Sequence, residues 1–225
     1  MERKPSFSSG NRFERIPPIT AGFLVLIAVM FLADLATGGL LAEWGMRDNL
    51  LLARGGQLWR FVTPALFHGG WSHVLMNAFA IFVWGSLIER IYGRGRYLAI
   101  ILFSAVMGVA LGFAFSAYRS LGASTVVFGY LGALLSTWTF DKRVRGNTGF
   151  FIQVAMIIGF NLLMGFMNQG VDNYGHLGGL LGGYLMARAV GMPHQKTITF
   201  ERVVCAVGGL AVCGLLIYLG MTKWG

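Results

Sequence analysis

The sequence predicts an all-α protein that crosses a membrane several times, and three observations lead there. Apolar residues make up 56% of the 225 and charged residues only 12%, with a mean hydropathy of +0.65. A soluble domain carries about 25% charge. The 33 glycines fall mostly inside the apolar stretches rather than between them, the way membrane helices use glycine to bring backbones together. Seven apolar runs of roughly 17–22 residues follow one another, close to the ~20 that span a ~30 Å hydrocarbon core.

Taken in order, residues 1–19 form a short polar tail with Arg3, Lys4, Arg12 and Arg15, ending at Pro17-Pro18. The first run, 20–41, reads as an uncleaved anchor, since no short apolar segment with a small-residue cleavage site appears. Residues 42–70 mix Trp44, Leu50, Trp59, Phe61 and Phe67 with Glu43, Arg47, Arg54 and Arg60. That mixture suits short helices half sunk in a membrane interface. Further spans are expected at 71–91, 97–117, 124–140, 149–167, 174–190 and 203–220. The organisation expected is therefore a tail (1–19), a membrane domain (20–190), and a linker with a last span (191–225).

Charge sets the expected orientation. With the N-terminus inside, thirteen of the 18 Lys and Arg residues fall on the inner side and five on the outer. This positive-inside bias accounts for much of the +9 net charge and removes the reason to invoke nucleic acid. Cys205 and Cys213 lie eight residues apart on the last span, ~12 Å along a helix axis. They are read as free apolar side chains.

Three groups carry chemistry. Ser124 opens the fourth span inside Gly122-Ala123-Ser124. Free first-turn N–H groups there can receive a developing oxyanion. His176 opens the sixth span on the same, outer side, and an ionisable residue in a membrane helix is a functional hypothesis by default. Gly175, Gly179 and Gly183 form a small-residue ladder beside His176, and Gly129, Gly132 and Ala133 offer a partner surface. Close approach of the two helices would bring imidazole and hydroxyl within general-base reach. His73 and Asn77, at i and i+4 of the second span, share a face and can both donate to an oxyanion.

Asp172, in the loop before His176, is the only acidic residue near either catalytic candidate in sequence, so a dyad is expected rather than a triad. Phe128, one turn beyond Ser124, can orient the imidazole by stacking. A metal site built from His68, His73 and His176 is disfavoured: no H-E-x-x-H occurs, and neither His68 nor His73 has a carboxylate within a turn.

These residues resemble the rhomboid family of intramembrane serine proteases. The similarity runs over about 20–190 through Trp59-Arg60, His68, His73-x-x-x-Asn77, Glu89-Arg90, Gly122-Ala123-Ser124 and His176-x-x-Gly179-x-x-x-Gly183. The resemblance implies a six-helix core plus a C-terminal seventh helix, with Ser124 as nucleophile and His176 as base. His73, Asn77 and the Ser124 amide would form the oxyanion hole, and Phe128 would support the histidine. Trp59 and Arg60 would anchor the first loop in the interface. It further implies cleavage of single-pass membrane substrates near the outer ends of their helices, without cofactor or metal, most simply in a bacterial inner membrane with the N-terminus cytoplasmic.

Two positions depart from the family pattern: Thr125 stands where glycine follows the serine, and Gly175 where alanine precedes the histidine. Thr125 adds β-branched bulk beside the nucleophile. It favours the competing reading, an inactive relative that binds transmembrane helices. A transporter fits less well, because the polar residues gather at the outer ends rather than at the midplane. Water must reach Ser124, so a polar cavity on the outer side, covered by residues 42–70, is expected.

Overall fold

The computed structural model describes residues 15–225 apart from Gly146 and Gln169. Most of the 1–19 tail, with Arg3, Lys4 and Arg12, lies outside the described residues. The framework is helical. Helix α1 (Pro18–Ala36) leads into α2 (Leu40–Gly45), α3 (Asn49–Ala53) and two 3-10 turns at Leu58–Phe61 and Thr63–Leu66. Next, α4 (Trp71–Ala80) continues through a π turn (Ile81–Gly85) into α5 (Ser86–Tyr92). Then come α6 (Arg94–Phe115), α7 (Ser124–Phe140), the short α8 (Lys142–Arg145), α9 (Thr148–Met167), α10 (Asn173–Val190) and α11 (Phe200–Trp224). No strand forms among the described residues, only one antiparallel bridge between Arg47 and Ser120.

Five of these helices are long and apolar enough to cross a membrane: α1, the continuous α4–α5 helix, α6, α9 and α11. The other two expected spans differ for a physical reason. Helix α7 has 17 residues and α10 carries five glycines among its 18, and both sit at the centre of the bundle. A central helix meets protein on most sides, so it needs neither full length nor a lipid-facing apolar surface. The peripheral helices show the opposite pattern, with Val25, Leu26, Val29 and Leu32 of α1 and Met156, Phe160 and Leu163 of α9 exposed.

The first run ends earlier than expected. Helix α1 stops at Ala36, and Gly38 and Gly39 take φ of 66° and 92°, a conformation glycine adopts without strain. Leu40 and Leu41 therefore belong to α2. At the other end Pro18 occupies the first turn, where its missing N–H is not needed. The amides of Ile19 and Thr20 donate at 3.1 and 2.7 Å to the buried Glu89 carboxylate of α5, which also accepts from the Thr20 hydroxyl. A carboxylate supplied from another helix thus caps α1 and complements its dipole. The last span also exceeds its expected bounds. Lys223 and Trp224 lie in the final turn of α11 and donate to the carbonyls of Ala114 and Phe113 at the end of α6.

Glycine sets how closely α7 and α10 approach. A Cβ added at Gly183 would sit 2.0 Å from the Gly129 carbonyl oxygen, and one at Gly132 2.0 Å from that of Leu180. On the other flank, a Cβ at Gly178 would lie 2.5 Å from the Met107 carbonyl of α6. Helix α10 is wedged backbone to backbone between α6 and α7. Small-residue packing of this kind replaces the hydrophobic drive that is absent between helices in lipid.

Candidate active site

Because α7 and α10 touch along their backbones, the residues at their neighbouring N-terminal ends meet. His176 Nε2 lies 2.9 Å from Ser124 Oγ, within general-base reach. The Phe128 ring, one helical turn on from Ser124, stacks on the imidazole with centroids 4.3 Å apart and planes 9° from parallel. His176 Nδ1 is buried without a hydrogen-bond partner among the described residues. Asp172 is engaged elsewhere: one carboxylate oxygen caps the Gly175 amide at 3.0 Å, and the other meets Arg47 and Ser120 at 2.9 Å each. The geometry is that of a pair held by an aromatic ring.

The chain entering α7 is tightly placed. Gly122 takes φ of 127° and its amide donates to the Pro64 carbonyl at 2.9 Å. A side chain there would collide with the His73 ring, 2.7 Å from its Cε1 and Nε2, and would come within 3.8 Å of Ser124 Oγ. His73 and Ser124 therefore flank the same glycine. Buried His68 accepts the Ala123 amide on Nε2 at 3.3 Å and stands edge-on to His73, with centroids 5.1 Å apart. Burial first, and the nearby His73 second, push the His68 imidazole down to about 4, which keeps Nε2 free to accept. The first intrahelical bonds of α7 run from Val126 and Val127 to the Ala123 carbonyl. The Ser124 and Thr125 amides precede them, as at any helix start.

Asn77 is the site residue whose bonding differs from expectation. It is buried on α4, and its side-chain amide donates back to the His73 carbonyl at 3.0 Å. The i, i+4 spacing that suggested paired donors also lets Asn77 bond within its own helix. Thr125 also sits differently from the crowding considered above. Its Cγ2 would lie 2.8 Å from a Cβ on Gly108 and 3.3 Å from one on Gly175, so its methyl fills the seam between α6 and α10.

In the first loop, exposed Trp59 stacks on Trp44 with centroids 5.4 Å apart, a pair suited to an interface. Arg60 is buried instead, donating to Gln57 and to the carbonyls of Glu43 and Met46, so it fastens the loop from within.

Ser124, His176 and His73 are half-buried. Two hollows in the protein lie elsewhere. One of about 10 Å³ near Tyr92, Ser136 and Arg188 is the size of one water. The other is an open groove along α9 at Gln153, Met156 and Phe160. No group of three or more His, Cys, Asp or Glu converges among the described residues.

Sequence reasoning missed one cluster, Arg47 with Ser120 and Asp172. Asp172 just before a helix was a visible capping signal. Its partner Arg47 lies 125 residues away, beyond any local pattern.

Fold and site together define a helical integral membrane protein with a serine and a histidine paired between two glycine-packed central helices. Residues 55–193 match the Rhomboid domain family. The chain is 36% identical over 210 residues to "Rhomboid protease GluP" of Bacillus subtilis, covering 91% of this chain and 41% of that protein. It is 30% identical over 181 residues to "Putative rhomboid protease YdcA" of the same organism, covering 78% and 89%. It is 32% identical over 176 residues to "Rhomboid-like protease 1" of Toxoplasma gondii, covering 75% and 58%. The chain thus spans about two-fifths of the first relative and over half of the third. It belongs to the rhomboid family.

Proposed function

We propose that the chain is an intramembrane serine endopeptidase using a Ser124–His176 dyad. The 2.9 Å contact between Ser124 Oγ and His176 Nε2, made across two helices whose glycines let their backbones touch, carries this reading. In the first half-reaction, Ser124 Oγ attacks the scissile carbonyl carbon while His176 Nε2 takes the hydroxyl proton. The oxyanion is received by the Ser124 amide and His73, and by Asn77 once its amide turns from the His73 carbonyl. Catalytic hydrogen bonds of this type often align only when substrate is bound. Collapse of the tetrahedral adduct breaks the C–N bond, His176 passes its proton to the leaving amine, and an acyl-Ser124 ester remains. Water then attacks that ester with His176 again as base, releasing the new carboxylate and restoring the serine.

The Thr125 methyl fills the seam between α6 and α10, which supports this reading over that of an inactive binder. The positive-inside bias supports an outer placement of the dyad and a cytoplasmic N-terminus. Single-pass membrane proteins, cleaved near the outer ends of their helices, fit as substrates, and no step requires a cofactor. The test is labelling of detergent-purified protein with a fluorophosphonate probe, beside Ser124→Ala and His176→Ala. Wild-type labelling that both variants lose, with melting temperatures retained, is expected. A wild type that folds and does not label, or Ser124→Ala that still cleaves substrate, rejects the dyad.

A further inference from the structure

Arg47 is wholly buried in the connection between α2 and α3, where an uncompensated guanidinium would be severely penalised. One bond stays local, Nη1 donating to Asn49 Oδ1 at 2.9 Å, and the rest are distributed over two distant stretches of chain, beginning with Nη1 to the Ser116 carbonyl at 3.4 Å. Nε donates to the Ser120 hydroxyl at 2.9 Å, and Nη2 donates to the Tyr118 carbonyl at 2.6 Å and to Asp172 Oδ2 at 2.9 Å. Ser120 donates its own hydroxyl to the same carboxylate oxygen at 2.9 Å. The Arg47 amide also donates to the Ser120 carbonyl at 2.8 Å. Burial lowers the Arg47 guanidinium from its usual range, and the Asp172 charge and hydrogen bond oppose that fall. Gly112 of α6 forms the floor: a Cβ there would lie 2.9 Å from Asp172 Oδ2 and 3.1 Å from Arg47 Cζ.

The placement of this cluster is what matters. Ser120 lies four residues before Ser124, and Asp172 four residues before His176. Asp172 is joined to the base directly, since its carbonyl accepts the His176 amide at 3.0 Å and its carboxylate caps Gly175. Arg47 thus ties together the two strands of chain that deliver the nucleophile and the base, on the side of the dyad where α7 and α10 have not yet met.

We propose that Arg47 is a positioning residue: with Ser120 and Asp172 it forms a clamp that holds Ser124 and His176 at hydrogen-bonding distance. The clamp rests on the protease reading above for its effect on rate, and on geometry alone for its effect on order. A misplacement of ~1 Å at reacting groups lowers rates by about 100-fold, so a clamp acting at both approaches changes kcat rather than substrate affinity.

The test uses the full chain in liposomes with a transmembrane substrate, comparing wild type, Ser120→Ala and Arg47→Lys. Lysine keeps a charge for Asp172 and lacks the fork that reaches Ser120 and Tyr118 together. Melting temperature, kcat, KM and amide hydrogen exchange over 120–127 and 172–179 are measured. Both variants are expected to fold, with KM within about two-fold of wild type. By the same positional argument, kcat should fall about 10-fold for Ser120→Ala and about 100-fold for Arg47→Lys. Exchange should quicken in both segments and not elsewhere. If Arg47→Lys fails to fold, Ser120→Ala decides alone. Wild-type kcat in a folded variant overturns the clamp, as does a raised KM with kcat unchanged. If the wild type itself does not turn over, exchange decides. Faster exchange in both segments upholds the clamp, and the protease reading is then decided by fluorophosphonate labelling of the same wild type; unchanged exchange overturns the clamp.

Discussion

Thr125 and Gly175, the two positions at which the sequence departs from the pattern the resemblance implies, lie against each other. A Cβ on Gly175 would lie 3.3 Å from Thr125 Cγ2, so the bulk added after the serine occupies space left before the histidine. Thr125→Gly removes three side-chain atoms from that seam. A void of ~50 Å³ at about 24 cal/mol per Å³ amounts to about 1 kcal/mol, and the lower helix propensity of glycine adds about 0.5 kcal/mol. Gly175→Ala alone must displace both Thr125 and Asp172 Oδ2, the latter only 2.9 Å from the new methyl, an overpacking of about 1–3 kcal/mol. In the double variant the methyl introduced by Gly175→Ala enters the vacated space. Coupling of about 0.5–1 kcal/mol should return, though not full recovery, because the Asp172 contact persists. The assay is unfolding of micelle-bound protein for all four members of the cycle, with the fluorophosphonate labelling rate measured on each. Strictly additive stabilities would refute the exchange of volume. Thr125→Gly labelling ten-fold faster than wild type at unchanged stability would show that the threonine crowds the nucleophile after all.

Two further outcomes follow from the same geometry. His68 titrates at about 4 in the folded protein against ~6.5 unfolded, so the unfolded chain binds more protons between those values. The part of the stability that His68 contributes should therefore fall as pH drops from ~6.5 to ~4, by at most about 3 kcal/mol, and His68→Gln should make the pH profile shallower by that amount; a variant profile as steep as the wild type would refute the buried neutral histidine. A Cβ on Gly179 would lie 2.1 Å from the Thr125 carbonyl oxygen, so Gly179→Ala must part α7 from α10 and should reduce probe labelling by about 100-fold. Wild-type labelling of that variant would mean the helices are not locked at this distance.

What the sequence disclosed follows from what a bilayer enforces. Apolar length announced the peripheral spans, because lipid tolerates little else. Ser124 and Phe128 were legible because they lie one helical turn apart, and His176 because a polar ring stands out in an apolar run. The central helices were harder to bound, since α7 and α10 meet protein rather than lipid. The end of α1 was overrun because Leu40 and Leu41 continue the apolar run past the Gly38-Gly39 break. Asn77 had the right spacing for an oxyanion donor, but periodicity gives a face and not a rotamer. The Arg47 clamp was out of reach, since its logic exists only once residues 47, 120 and 172 are brought together.

The separation of Asp172 from His176 Nδ1 has its own physical sense. A serine protease triad uses one carboxylate both to orient the imidazole and to stabilise its charged form. Within a membrane domain, such a carboxylate would have to be buried beside the ring with no permanent cation to offset it, at a desolvation penalty of several kcal/mol. On the dyad reading the orienting task falls to Phe128, whose ring stacks on the imidazole and carries no charge. The acidic residue sits four positions earlier, where Arg47 offsets its charge permanently. There it also caps α10, the helix that carries His176. On that reading, a carboxylate at the helix end rather than at the ring keeps an ordering effect on His176 through the Gly175 cap and keeps its burial penalty away from the proposed pair.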